Sequence, residues 1–254
     1  MRTSTCFMLI VAVFVTLAGG VAHGETTQCK AITSFPATIA MPGIYCLESD
    51  FQTNLPTGRA ITIKSNSVTL DLNGHTISNL AAGMTTQAVG IYGYRRQAVT
   101  VKNGTIVGFA YAVYMTDKSP YETAQANLVE DIRAYRNTIG GITMRGHGCI
   151  VRGNQIITTG VAPTGSNSAF GVSVDGPGNR VIDNDIVTVI AGDFGSAEGI
   201  FFGQAGENGV AIGNRITDSF NGIVMGQATT KYRDNVTTGV AMPYVGGTDA
   251  GNND

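Results

Sequence analysis

Four short segments bring ionisable side chains back at intervals of roughly 20 to 30 residues: Tyr94-Arg95-Arg96, Asp117-Lys118, Arg145 with His147, and Asp175. These residue types would supply the parts of more than one reaction. β-Elimination of a uronic acid polymer needs a cation on the carboxylate, a base for the neighbouring proton and an acid for the leaving oxygen. Arg145 or Arg95 would hold the carboxylate, His147 or Lys118 would take the proton, and Tyr114 would donate one. Hydrolysis would draw instead on two carboxylates, for which Asp117 and Asp175 are the candidates. The same charges are also what a solvated, non-catalytic binding face carries, and the residues leave both readings open. No His, Cys or carboxylate spacing recommends a transition metal, so no cofactor is expected. Calcium would rest only on Asp183 and Asp185, whose spacing equally suits an exposed strand position.

A repeat must position these segments, because three apolar patterns recur in fixed order along the chain. The first is a β-branched pair or triplet: Ile61-Thr62-Ile63, Val68-Thr69-Leu70, Val99-Thr100-Val101, Ile150-Val151, Val181-Ile182 and Val210-Ala211-Ile212. The second is an aliphatic anchor closely preceded by asparagine, at Ile77, Ile106, Ile156, Ile186, Ile216 and Val236, with Ile132 as a variant that lacks the asparagine. The third is a small residue, an aliphatic, any residue and another apolar one, as in Gly141-Ile142-Thr143-Met144 and Gly171-Val172-Ser173-Val174.

Strands this short bury their inward side chains only if successive repeats stack and like strands pair in parallel. The expected fold is therefore an all-β, single-stranded right-handed parallel β-helix of about seven coils over residues 58–245. Residues 25–57, with three prolines, would form an N-terminal cap, and 246–254 a flexible tail. Asn103, Asn154, Asn184 and Asn214 would stack at one corner and hydrogen-bond along it. Asn103-Gly104-Thr105 and Asn235-Val236-Thr237 also read as glycosylation sequons.

Side-chain alternation turns the third residue of the third pattern outward, giving a column of Tyr92, Tyr114, Thr143, Ser173, Phe201 and Val224. Its tyrosine-rich end would pack against sugar rings, with Tyr92, Tyr94, Arg95 and Arg96 as substrate-binding residues.

Arg2, the apolar run from Cys6 to Leu17 and the small residues ending at Gly24 read as a leader peptide, cleaved after residue 24. No later segment is apolar enough to span a bilayer, so a secreted or periplasmic product is expected. In that oxidising setting Cys29 and Cys46 would form a disulfide, and Cys149, in a strand-like run, would be a buried packing residue. With 16 basic against 18 acidic side chains and no basic run, nucleic acid is not an expected partner. Thirty-four glycines and no tryptophan fit a chain of many turns and little helix.

Pro42-Gly43-Ile44-Tyr45-Cys46-Leu47, Leu70-Asp71-Leu72-Asn73-Gly74-His75-Thr76-Ile77 and the Gly-Ile-x-apolar repeats resemble bacterial right-handed β-helix proteins of the pectin-lyase-like superfamily. The resemblance covers most of residues 29 to 240 and implies the fold together with a polysaccharide or glycan as partner. It does not choose an activity, because the superfamily includes lyases, hydrolases, epimerases and non-catalytic modules. Gly146-His147-Gly148 looks like the Gly-His-Gly element of polygalacturonase-type hydrolases. The acidic motifs that precede that element, and the Arg-Ile-Lys that follows it, have no full match here; Arg215-Ile216-Thr217 is the nearest basic one.

Overall fold

A computed structural model describes residues 26–160, 168–192 and 195–254. The expected leader, residues 1–24, lies outside the described residues. Among the described residues, twenty-three short strands pair in parallel and the helical content is one 3-10 turn, Leu80–Ala82.

The pairings resolve into three sheets wound by one chain. Sheet A begins Lys30–Ala31, Gly43–Cys46, Val68–Asp71 and continues to Lys231–Arg233 and Thr248–Asp249. Sheet B runs from Phe51–Gln52 through Thr76–Ser78, Gln155–Thr159 and Asp185–Val189. Sheet C holds Ala37–Ile39, Arg59–Ile63, Val89–Tyr94, Tyr111–Thr116, Gly140–Arg145, Ala169–Asp175 and Ala197–Phe202. Four longer strands, Val99–Val107, Leu128–Tyr135, Arg215–Met225 and Val236–Val245, round a corner and serve two sheets each. The chain is a parallel β-helix.

Columns of inward residues, stacked coil on coil in each sheet, build the core. In sheet C, Ile61, Ile91, Val113, Ile142, Val172, Ile200 and Ile223 lie in register and are fully buried. In sheet B, Ile77, Ile106, Ala134, Ile156, Ile186 and Ile216 do the same. Each fully buried aliphatic contributes about 1.5–3 kcal/mol relative to exposure. The small residue of the third pattern has a steric cause. A Cβ on Gly141 would lie 2.6 Å from the Gly171 carbonyl oxygen and 2.7 Å from Ile156 Cγ2, and Gly171 is hemmed in the same way.

Register corrects three assignments. Ile61-Thr62-Ile63 belongs to sheet C, where it pairs with Ile39 and Ile91, and not with the Val68 triplet; composition alone does not separate two β-branched triplets on either side of a corner. The anchor of its coil is Ala134, because Ile132 pairs with Gly104 at the corner. Likewise Ile216 pairs with Thr237, and Val236 is exposed.

The corner asparagines form a continuous ladder, though not with the full expected membership. Asn154 Nδ2 donates to Asn184 Oδ1 at 2.9 Å, Asn184 to Asn214 at 3.0 Å, Asn214 to Asn235 at 3.0 Å and Asn235 to Asn253 at 3.0 Å. Each Oδ1 also accepts the backbone N–H of the residue before it in the ladder. Asn103 stands one position out of line, with left-handed backbone (φ 55°), and donates to Asp71 Oδ1. Asn235, being fully buried in the ladder, offers no amide for a glycan.

The stack extends beyond the coils set by the repeat anchors. Residues 30–52, expected to form a cover, pair with the coils that follow, and Cys29 and Cys46 are disulfide-bonded with Cα atoms 5.8 Å apart. At the far end Thr248–Asp249 pairs with the strand below and Asn253 closes the ladder, so the residues expected to be a flexible tail are tied to the last coil.

Candidate functional site

The outward face of sheet C carries two columns of side chains. The expected one lies in register: Tyr92, Tyr114, Thr143, Ser173, Phe201 and Val224 follow one another coil by coil, with Thr62 before them. The second column is the residue immediately before each small residue: Arg59, Val89, Tyr111, Gly140, Phe170, Glu198 and Asn221. Sequence reasoning passed over this position, although its spacing from the glycine of each third pattern repeats as regularly as the first column's.

Together the columns make an aromatic surface at the early coils. Arg59 lies over the Tyr92 ring at 3.5 Å, Tyr92 stacks on Tyr114 at 6.1 Å, and Tyr114 meets Tyr111 at 4.9 Å. Tyr111 then leans over Gly140, where a Cβ would fall 2.7 Å from its ring, so the missing side chain makes room for the phenol. Past Gly140 the surface resumes with Phe170 against Phe201 at 5.5 Å. Thr143 and Ser173, though outward, are buried between the flanking rings.

Arg145 ends its strand at the middle of this face. It is half-buried, close enough to Tyr111 and Tyr121 for its charge to lower both phenols, and among the described residues its side chain makes no hydrogen bond or ion pair. Burial nevertheless raises the Tyr111 phenol above its ordinary value, with Tyr114 adding to it. Burial, together with the hydrogen bond it gives Asp175, raises Tyr121 as well.

The other expected residues divide by what they already touch. Asp117 is buried and accepts backbone N–H groups from Lys118, Thr123 and Ala124 at 2.7–2.8 Å, while Arg95 Nε lies 3.2 Å away. Burial alone would raise its carboxyl, but these donors hold it below the usual range. It organises the loop after its strand and leaves no lone pair free for hydrolysis. Asp175 takes the Tyr121 hydroxyl at 2.8 Å and the N–H groups of Gly176 and Ala205 at 3.1 Å. Arg95 is bound to Asp117 and Thr123, and Arg96 to the carbonyls of Tyr94 and Lys64. Tyr94 is half-buried at the edge of a basin of ≈ 400 Å³ lined also by Arg59, Tyr92 and Arg96. Lys118 and His147 are exposed in the corner loops, and the His147 backbone bridges Gln125 of the coil before it.

Glu198, also unanticipated, is buried on the same face. Its Oε1 accepts from Ser196 at 3.0 Å, while its Oε2 and the Asn221 Oδ1 have no partner among the described residues. Burial raises its carboxyl above the ordinary value against the opposing Ser196 bond.

A family model described as periplasmic copper-binding protein (NosD) matches residues 52–237, and the chain belongs to this family. No curated protein matches the sequence significantly. Among solved structures, pectate lyase Pel9A is similar at 13% identity and a TM-score of 0.44, over 91% of this chain and 66% of that one, so the chain spans just under two thirds of its length. An alginate lyase from Paenibacillus sp. str. FPU-7 gives 14% identity and a TM-score of 0.36, over 85% of this chain and 97% of that one. The Dettilon tailspike protein gives 11% and 0.26, over 87% of this chain and 60% of that one.

The family's description raises copper, which a protein holds with converging imidazole and sulfur donors. Among the described residues no three His, Cys, Asp or Glu side chains converge. His75 Nδ1 lies 3.3 Å from Asp50, at a different corner from His147. Burial pushes the Cys149 thiol up to about 11, and its Sγ faces the His147 carbonyl at 3.7 Å. These residues do not fit a copper ion, and no chemistry is routed through one.

Proposed function

We propose that this NosD-family β-helix is an exported protein that binds an acidic, uronate-containing polysaccharide along the outward face of sheet C. The observation that carries the reading is Arg145. A half-buried guanidinium with no carboxylate of its own, set beside Tyr111 and Tyr121, is arranged to receive a carboxylate from outside in bidentate fashion. Tyr92 and Tyr114 continue the surface coil by coil, offering ring faces for the C–H side of successive sugars. Among the described residues no helix is long and apolar enough to cross a membrane.

The reading stops at binding. A base for β-elimination has to sit within hydrogen-bond reach of the proton it takes. The two phenols beside Arg145 have raised pKa values and stay protonated, Asp117 is consumed by its loop, Asp175 is occupied by three donors, and Lys118 and His147 stand exposed in the corner loops. Affinity electrophoresis and calorimetry with polygalacturonate, alginate and hyaluronan test this, with ultraviolet absorbance followed for unsaturated ends. At least one polymer should bind, weaken with added salt, lose affinity about ten-fold or more in Arg145→Ala, and yield no unsaturated product. Undiminished binding by Arg145→Ala, or silence across the acidic panel, overturns the reading; unsaturated product overturns its restriction to binding.

A further inference from the structure

Two buried oxygens at the later end of sheet C's outward face have no donor. Glu198 and Asn221 are register neighbours on adjacent coils, each 8% exposed, and both stand in the column that begins at Arg59. Ser196 ties them together, since its hydroxyl donates to Glu198 Oε1 at 3.0 Å and accepts from Asn221 Nδ2 at 3.1 Å. Glu198 Oε2 and Asn221 Oδ1 remain, buried and without a partner among the described residues. A buried polar atom without a partner is costly and uncommon, and two in one three-residue cluster call for a single donor group that reaches both.

The surroundings select the chemistry of that group. Both atoms are acceptors, so the partner must bring at least two hydrogens. One of them belongs to a carboxyl raised by burial, as a carboxyl without a counter-charge is. In register with Glu198, one coil earlier, stands the half-buried ring of Phe170, which meets Phe201 of Glu198's own strand at 5.5 Å. Ring faces attract a cation, as a carboxylate does. Two acceptor oxygens and a pair of rings are the complement of a primary ammonium, which has three donors and no acceptor. An acetamido group fits less well. It brings a carbonyl oxygen, and the Ser196 hydroxyl and Asn221 amide nearest to it already donate within the cluster.

We propose that Glu198 and Asn221 form a subsite for the ammonium group of a free amino sugar, on the same face that presents Arg145. The proposal rests on the glycan reading above for the class of molecule alone, because its own residues lie two coils beyond Arg145 and share no contact with it.

The test is calorimetry and chemical-shift NMR on the chain prepared without residues 1–24, titrated with glucosamine oligomers of three to six units and with their N-acetylated counterparts. The amino series should bind about ten-fold more tightly or better, and should shift the amides of Glu198 and Asn221. Glu198→Gln keeps the shape, offers the Asn221 oxygen a donor of its own and should abolish the preference. Asn221→Leu removes one acceptor without changing charge, which separates the subsite from general attraction of a polycation to an acidic chain. It should weaken amino-series binding about five-fold or more. Arg145→Ala should leave the preference intact. No binding by the amino series, equal binding by the acetylated one, or retention in either variant with native circular dichroism overturns the proposal and leaves the two oxygens to a buried water. Tighter binding of N-α-acetyl-lysine amide than of glucosamine assigns the subsite to a peptide and overturns it as well. Loss of acidic-polymer binding alone bears only on the Arg145 reading.

Discussion

Arg145 and Asp175 occupy the same register position on adjacent coils of sheet C, yet they form no ion pair. The carboxylate is turned away by the Tyr121 hydroxyl and by two backbone N–H groups, which leaves the guanidinium uncommitted. Tyr121 thereby keeps Arg145 available. Removing its hydroxyl in Tyr121→Phe frees one oxygen of Asp175 to pair with Arg145, which should weaken acidic-polymer binding by about 1 kcal/mol, or roughly five-fold. Titration calorimetry of Tyr121→Phe, with Asp175→Asn in the same background restoring affinity, checks the relationship.

The asparagine ladder makes a sharper stability prediction than any core residue. Asn184 Oδ1 accepts both the backbone N–H and the Nδ2 of Asn154, and its own Nδ2 donates to Asn214 and to the carbonyls of Val151 and Ile182. Asn184→Ala strands two buried donors and at least one acceptor, each costing about 1–3 kcal/mol if left unpaired. Asn103→Gly, off the ladder and compatible with the left-handed backbone at that position, loses one partly exposed bond to Asp71 and should cost under about 1.5 kcal/mol. Urea unfolding of the two variants side by side gives the comparison; equal losses would mean that the ladder is not the stabilising unit.

Much of this fold was legible because its repeat is enforced by sterics. Gly141 and Gly171 are glycine since a Cβ would strike the next coil, and that constraint writes a period into the sequence. The outward column from Tyr92 to Val224 was readable for the same reason. What escaped were features set by the exact register at corners. Ile132 for Ala134, and Asn103 for the true ladder, are shifts of one or two residues that apolar pattern cannot resolve. Charge was the least legible. Arg95, Arg96 and Asp117 read as a ligand-binding stripe, but backbone partners take Arg96 and Asp117, Asp117 and Thr123 take Arg95, and backbone positions are invisible in a list of side chains. Arg145 stands out only once its neighbours are seen to be occupied.

Acid and base act on opposite faces of this protein's stability. Asp71 and Asp117 have carboxyls held below their ordinary value, burial being outweighed by Thr26, Asn73 and Lys102 in one case and by loop N–H groups and Arg95 in the other. Their contribution is complete above the unfolded carboxylate range and is lost as pH falls through the folded pKa. Glu198 has the reverse sign, since its folded pKa is raised by burial. It carries no ionisation penalty while protonated and destabilises as pH rises from the unfolded value through the folded one. Glu198→Gln should therefore raise the melting temperature near neutral pH and have little effect at acid pH, while Asp117→Asn should lower it most near neutral pH. Thermal scans from pH 3 to 8 check both signs.

Cys149 gives a direct probe of coil closure. Its thiol is buried, pushed up to about 11 by that burial, and directed at the His147 carbonyl. Thiolate is the reactive form, and at pH 8 a group of this pKa supplies about one part in a thousand of it behind a closed wall. In the chain prepared without residues 1–24, a disulfide reagent such as DTNB should leave the native protein unmodified for hours and release one equivalent at once in guanidinium chloride. Because the backbone N–H of Cys149 is held by Asn179 Oδ1 at 2.8 Å, Asn179→Ala should loosen this corner first. Labelling should then become measurable under native conditions, ahead of any global unfolding seen by circular dichroism. Equally slow labelling in Asn179→Ala would show that the corner is closed by the stacked coils rather than by the asparagine.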